Sequence, residues 1–446
     1  MLKNKVGLVT AVSVVIANMI GTGVFTSIGF QVIDIQSVFA ILLLWVLGGI
    51  MALCGALTYG EIGSAFPNSG GEYVYLSKLY HPMLGFLSGW VSATVGFSAP
   101  IALAAMALGQ YVNGVYPGVN GSMLAIVVVC LITLIHSYDL RFGAAFQRVS
   151  TTIKLIFVVL LIIAGFFCVP EHSISIAPNE HSFTDIFSGA FAVSLYWISY
   201  SYSGWNASAY MTGDIINPSK NLPRSLFIGT LIVTILYLLL NFIFLYSTPV
   251  AQLAGQVEIG YISGQHIFGA GIGSVVGIVI AVLLISSISA MIMAGPRVAS
   301  SIGKNVEPLK IFAKENKGGV PYVAVISQSI IAIVLILTAS FNDVLELIGF
   351  ILTLFTFLTV LGVFILRAKF KHIDRPYKTW GYPVTPIIFL MINAWILWFG
   401  FYNKPKMSIY GLALIAVGAI IWVLLKNRSN TFKTRTEGTI SLENEE

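Results

Sequence analysis

The stretch ANMIGTGVF, Ala17 to Phe25, interrupts a run that is otherwise hydrophobic from Val6 to Phe30. A helix that crosses a bilayer does better with Leu or Ala at its middle, because Gly costs about 1 kcal/mol relative to Ala in a helix interior. Backbone in hydrocarbon must satisfy its own hydrogen bonds, so a break at that depth is tolerated only where it is packed in protein or lines a cavity. Gly21-Thr22-Gly23 therefore reads either as a small-residue packing face or as the edge of a site. A second interruption favours the site. In ISYSYSGWNASAY, Ile198 to Tyr210, the residues Ser201-Tyr202-Ser203-Gly204-Trp205-Asn206 break the sixth apolar run. The first and sixth runs hold equivalent places if ten helices form two halves of five. An odd number per half inverts the second half, and paired breaks at matching places point to a transporter site near the midplane.

Composition sets the environment. Of 446 residues 57% are hydrophobic and 9% charged, with a mean hydropathy of +0.89. A soluble chain carries about a quarter charged residues, so this one belongs in a bilayer. Runs of about 20 apolar residues, enough to cross about 30 Å of hydrocarbon as helix, recur twelve times. They fall near 6–32, 37–64, 83–113, 122–138, 147–169, 184–215, 224–248, 267–299, 321–340, 344–367, 382–402 and 407–426. The fold class is thus all-α integral membrane. A transmembrane domain covers 1–426, divided into a first repeat (6–170), an inverted second repeat (183–367) and two final helices (382–426); the polar tail 427–446 is expected to be disordered and cytoplasmic. Met1-Leu-Lys-Asn-Lys leads straight into the first span with no cleavage site, so that span is expected to be retained.

Charge sets the orientation. If twelve spans alternate, all but three of the 24 Lys and Arg fall on one side, which the positive-inside rule makes the cytoplasm of a cell (plasma) membrane protein with both termini inside. Lys404 and Lys406 are the outer exceptions, and Lys154 lies inside a span. The net charge of +6 is then a product of topology, which leaves no reason to expect a nucleic-acid partner. Cys54, Cys130 and Cys168 lie far apart in apolar runs and read as packing residues. The histidines are scattered without metal-ligand spacing, so no cofactor, no metal and no enzyme chemistry is expected. Glu61, Asp139 and Asp214 sit near cytoplasmic helix ends, where caps or salt bridges to residues such as Arg224 are expected.

Five motifs carry a resemblance: IGTGVF in the first span, PNSGGEYVYL after the second, FQRVSTTIKL entering the fifth, YSYSGWNASAYMTGDIINPSKNLPRSL through the sixth and SSISAMIMAGPRV in the eighth. Together they resemble the amino acid, polyamine and organocation superfamily, within it the bacterial relatives of the L-type amino acid transporters. The resemblance implies a leucine-transporter-type fold and alternating access around a central site. It also implies a gating aromatic at Tyr200. In sodium-independent relatives, a lysine at the place of Lys154 puts its ammonium where sodium-coupled members bind sodium, and Tyr237 resembles a tyrosine that braces the same region. Gly213-Asp214 stands where L-type relatives usually carry two acidic residues. With no outer cysteine expected either, no disulfide-linked accessory subunit is foreseen.

The residue chemistry agrees. Unwinding at Gly21, Thr22 and Gly23 frees amides at the positive start of a half-helix, suited to a carboxylate. Unwinding at Tyr200, Ser201, Tyr202, Ser203 and Gly204 frees carbonyls for an ammonium. Met19, Ile20, Tyr200, Tyr202, Trp205, Ser286, Ser287 and Ser289 are candidates for the pocket wall, none of them charged, so a neutral amino acid is favoured over a cation or polyamine. Lys154, about 6 Å inside the cytoplasmic edge if the fifth span starts near Ser150, either snorkels or bridges the carbonyls near Gly21 to Ser286, Ser287 or Ser289. The function expected is sodium-independent transport of a free neutral L-amino acid, by exchange or proton symport. An amino-acid-sensing receptor on the same fold, a sodium-coupled carrier or a cationic amino acid permease are the alternatives.

Overall fold

The structure, a computed structural model, describes residues 5–138, 140–169, 175–178, 180–305, 307–316 and 318–428. Asp139 and the tail beyond 428 lie outside the described residues. Among those described the chain forms helices and no sheet; one parallel bridge joins Val6 to Ile215.

The Gly21-Thr22 break splits the first run into α1 (Leu8–Met19) and α2 (Gly23–Asp34). Ser37 starts α3 (Val38–Ala65) by accepting from the Ala40 amide at 3.3 Å, an N-cap that satisfies one orphan donor. Then come α4 (Glu72–Leu79), α5 (Pro82–Val91), a π-helical turn (Ser92–Gly96) and α6 (Ser98–Val115). Next are α7 (Gly121–Tyr138), α8 (Leu140–Phe166), α9 (Glu180–Ile186) and α10 (Gly189–Ser201), which runs into a 3-10 helix (Ala207–Asp214). The chain continues through α11 (Pro218–Ser247), α12 (Val250–Leu253), α13 (Ile259–Asn305) and a 3-10 helix (Glu307–Ala313). It ends with α14 (Tyr322–Thr338), α15 (Phe341–Lys369), α16 (Val384–Asn403) and α17 (Pro405–Arg428).

Among the described residues nine helical segments are long and apolar enough to cross a membrane, taking α1 with α2 and α5 with α6, and α7 and α14 supply two shorter apolar helices. Leu134, Leu160, Ile272, Leu337 and Ile420 are each more than half exposed on such helices. Contact with lipid tails accounts for that apolar surface, and the molecule is a multi-pass membrane protein.

Two groups of helices position the breaks. In one, α3 and α1 pack along α11, and α10 lies against α2 and α3. In the other, α6 packs along α13, with α7 and α14 beside them. α8 touches both α11 and α13, so a long side chain on it can reach between the groups.

Four observations bear on the sequence reading. α8 begins at Leu140, ahead of the stretch from Val149 that is apolar enough to cross a membrane; Lys154, near the start of that stretch, is 2% exposed, so it does not snorkel. Glu61 pairs with Arg367 (2.7 Å) and Arg375 (3.5 Å) and accepts the Thr379 amide (2.7 Å), instead of meeting Arg224. Those partners lie over 300 residues away, beyond local pattern. The exceptional Lys404 bonds the buried Glu346 at 2.8 Å, which explains a cation at that end. Cys168 stands past the last residue of α8, half-buried, with Sγ 3.7 Å from the His266 carbonyl, so it is not a residue of the span interior.

Candidate functional site

At the first break, α1 ends with carbonyls that have no partner inside the helix. Two side chains take them. Tyr237 of α11 donates its hydroxyl to the Met19 carbonyl. The Lys154 ammonium donates to the Ile20 carbonyl at 2.8 Å and to Ser287 Oγ on α13 at 2.9 Å. A cation at a helix C-terminus meets about half a negative charge there, and hydrogen bonds to a charged donor are the stronger kind. Lys154 thus ties α1 and α13 to α8 through neutral oxygens. Of the three candidate serines it meets only Ser287: Ser289 pairs with His136 Nε2 at 2.7 Å, and Ser286 Oγ is buried with no partner.

The other side of the break is an amide end. α2 begins at Gly23, and no side chain caps it, because the Thr22 hydroxyl turns away to Tyr200 Oη at 3.0 Å. A Cβ built on Gly21 would meet only the Met19 carbonyl, 3.9 Å away, so Gly21 borders open space. Gly23 is different. Its Cβ would lie 2.5 Å from the Ser201 Cα, so this glycine is needed for α2 to pack on α10. A larger side chain at Gly23 would therefore press on α10, and Gly21 is the position with room.

At the second break α10 ends at Ser201, and the chain turns in 3-10 fashion, with the Tyr202 amide on the Ile198 carbonyl (3.0 Å) and Ser203 on Tyr200 (2.9 Å). The Tyr200 carbonyl is taken in this state, contrary to the expectation that unwinding leaves it free. Gly204 has φ +93°, and a Cβ there would lie 2.8 Å from the Asn18 carbonyl carbon, so the two breaks touch. Ser201 Oγ meets Ser27 Oγ of α2 at 2.7 Å.

The aromatic candidates divide. Tyr200 faces the first break through Thr22. Tyr202 is wholly buried, bonds the Trp45 carbonyl at 2.9 Å and packs on Tyr237 with ring centroids 5.2 Å apart. Trp205 packs edge-on to Tyr59 at 4.7 Å and near Phe389 at 5.9 Å. Both anchor the break to α3 and its neighbours. Period alone cannot say which way a side chain leaves an unwound turn. Sequence reasoning missed Asn18, which touches Gly204, and Glu72, whose carboxylate sits beyond the second break.

The arrangement is one uncapped amide end and one turned carbonyl end, held side by side, with Tyr200 bonded to the first through Thr22. Comparison with known proteins places it. A family model described as amino acid permease matches residues 6–425. The chain is 28% identical to the mouse b(0,+)-type amino acid transporter 1 over 95% of its own length and 88% of that protein's. To the mouse large neutral amino acids transporter small subunit 2 it is 27% identical, over 95% and 81% respectively. The human b(0,+)-type amino acid transporter 1 matches at 26% over 95% of this chain and 88% of that protein. Helical architecture, paired breaks and a match across nearly the whole length agree: the chain belongs to the amino acid permease family and is an amino acid transporter, not an enzyme.

Proposed function

We propose that this transporter carries free neutral L-amino acids without sodium, by alternating access, as an exchanger or a proton-coupled symporter. Its frame is twelve spans, five plus five inverted followed by two, with both termini on the cytoplasmic side of the plasma membrane. Substrate carboxylate is held at Gly21, Thr22 and Gly23, and substrate ammonium near Tyr200 to Gly204, with Tyr200 as the gate.

The observation that carries this reading is the Lys154 ammonium between Ile20 and Ser287. A buried cation already neutralises the carbonyl end of α1, and a sodium ion brought there would meet like charge. Neutrality of the substrate is supported by the carboxylates: Glu61 and Glu346 are tied to cations, and Glu72 to Tyr59 and Asn206. None of these three remains at the helix ends to pair a cationic side chain. Similarity to a protein named for large neutral amino acids points the same way.

Reconstitution of the chain alone in proteoliposomes, with internal amino acid, sodium and pH varied independently, tests it. Uptake is expected without an accessory subunit and unchanged when choline replaces sodium. A protein that binds amino acid yet never moves it would support the receptor reading instead.

A further inference from the structure

Two buried carboxylates stand at the same end of the molecule, and they are treated oppositely. Glu61 is held by Arg367, Arg375 and the Thr379 amide. Glu72, 4% exposed at the start of α4, has one oxygen bonded to two neutral groups, Tyr59 Oη at 2.8 Å and Asn206 Nδ2 at 2.9 Å.

Its location matters as much as its partners. Asn206 is the second residue past Gly204, where the sixth span is broken. The loop before Glu72 also clasps the 3-10 helix that follows the break: the Gly70 amide bonds the Tyr210 carbonyl at 3.0 Å, and the Gly213 amide bonds Ser69 Oγ at 3.0 Å. Gly71, with φ +52°, lets the chain lie on the Tyr210 ring, where a Cβ would come within 2.8 Å. Glu72 thus links α3 and α4 to the half of the broken span that follows Gly204.

Three phenols among the described residues face it: Tyr59 from α3, Tyr75 from its own helix and Tyr210 from the 3-10 helix. α15 contributes the Thr359 hydroxyl, through Tyr59. Lys78, at the far end of α4, bonds Asn68 Oδ1 and covers the Phe66 ring. Arg367 and Arg375 are engaged by Glu61.

The geometry points to Glu72 as a proton-binding site of the cytoplasmic gate, where a proton on its carboxyl holds the broken sixth span closed and its loss lets that span swing away. This deepens the proposed transport cycle and rests on its orientation, in which the loop between α3 and α5 faces the cytoplasm. It assigns the titrating role to Glu72 rather than Lys154. A charged carboxylate held by a phenol and an amide donor is costly when dry, whereas the neutral acid is not. Burial raises the Glu72 carboxyl to about 7. Opening admits water and returns the group toward the ordinary carboxylate range, so the closed form binds the proton more tightly. Protonation therefore favours closure, and falling cytoplasmic pH slows opening. The proton leaves to cytoplasmic water when the gate opens.

Two measurements test this. In proteoliposomes oriented with the cytoplasmic face inside, uptake by the unmodified chain is expected to fall about tenfold as internal pH drops from about 8 to about 6, the change for one group titrating near 7. Glu72→Gln, which keeps the size and mimics the protonated acid, should give a flat, low rate with amino acid binding retained, and Glu72→Asp should keep a pH dependence at a shifted midpoint. Independently of transport, infrared difference spectra should contain a protonated-carboxyl band that titrates near neutral pH and is missing from Glu72→Gln. Absence of that band, or an unchanged pH profile in Glu72→Gln, overturns the proposal. Absence of all uptake with the band present overturns the transport reading and leaves the proton site standing.

Discussion

The two breaks are built from similar residues and are held in opposite ways. At the first, the exposed carbonyls of α1 run to side chains of other long helices, Lys154 on α8 and Tyr237 on α11. At the second, the chain closes on itself through short 3-10 bonds and leans on neighbours through Gly204, Trp205 and the bond to Glu72. The first break is tied to two long helices; the second is held by short local bonds and separate side-chain contacts. On the transport cycle proposed above, the ligand lies between them, and such a cycle needs one surface that keeps its geometry and one that moves.

The largest effect expected from breaking this contrast is at Lys154. Lys154→Ala removes two hydrogen bonds from a charged donor, each worth about 1.5–3 kcal/mol, and leaves the Ile20 carbonyl unpartnered. Uptake should fall about a hundredfold or more, while amino acid binding to the purified protein falls by much less. Equal losses in both would mean that Lys154 holds the substrate site itself together.

Next in size are the glycines. Gly21→Val places its side chain in the space over the start of α2, so binding should be lost while the melting temperature stays within a few degrees. Gly23→Leu drives into Ser201 and should instead lower stability by about 1–3 kcal/mol or more, as overpacking does. If Gly21→Val binds normally, the uncapped end of α2 is not the carboxylate site.

Much of this is legible in the sequence because it follows from hydrocarbon's demand on the backbone. Apolar length gives the long helices, Gly-Thr-Gly and Ser-Gly-Trp-Asn mark where helix fails, and a lone lysine in a span must find oxygen. Resemblance supplies the partner region of Lys154. Other matters turn on angles that sequence spacing does not carry. Successive residues on a helix point about 100° apart, so Ser287 meets Lys154 while Ser286 and Ser289 do not. Gly21 and Gly23 look alike in a string, yet one borders space and the other a backbone. Glu61 finds its arginines across more than 300 residues. Glu72 lies hidden in a stretch that reads as a turn; the clue is an acid beside two glycines with aromatic residues on either side.

Smaller effects sharpen the same comparison at the aromatic residues. Tyr200→Phe deletes the bond to Thr22, worth about 0.5–1.5 kcal/mol, so transport should slow about two- to tenfold with binding little changed. Tyr202→Phe deletes the bond to the Trp45 carbonyl and should lower the melting temperature more than it alters substrate affinity. An affinity loss in Tyr202→Phe that exceeds that in Tyr200→Phe would move the pocket wall to the other side of the break.

The most direct test of the central claim, that a fixed ammonium stands where a coupling cation would bind, is the cation dependence of uptake. Purified protein in proteoliposomes is assayed with labelled neutral amino acid while sodium outside is replaced stepwise by choline at constant ionic strength and pH. Uptake is expected to be the same at every sodium concentration in the unmodified chain. Uptake that rises with sodium and saturates would contradict the role given to Lys154 and, with it, the account of the first break.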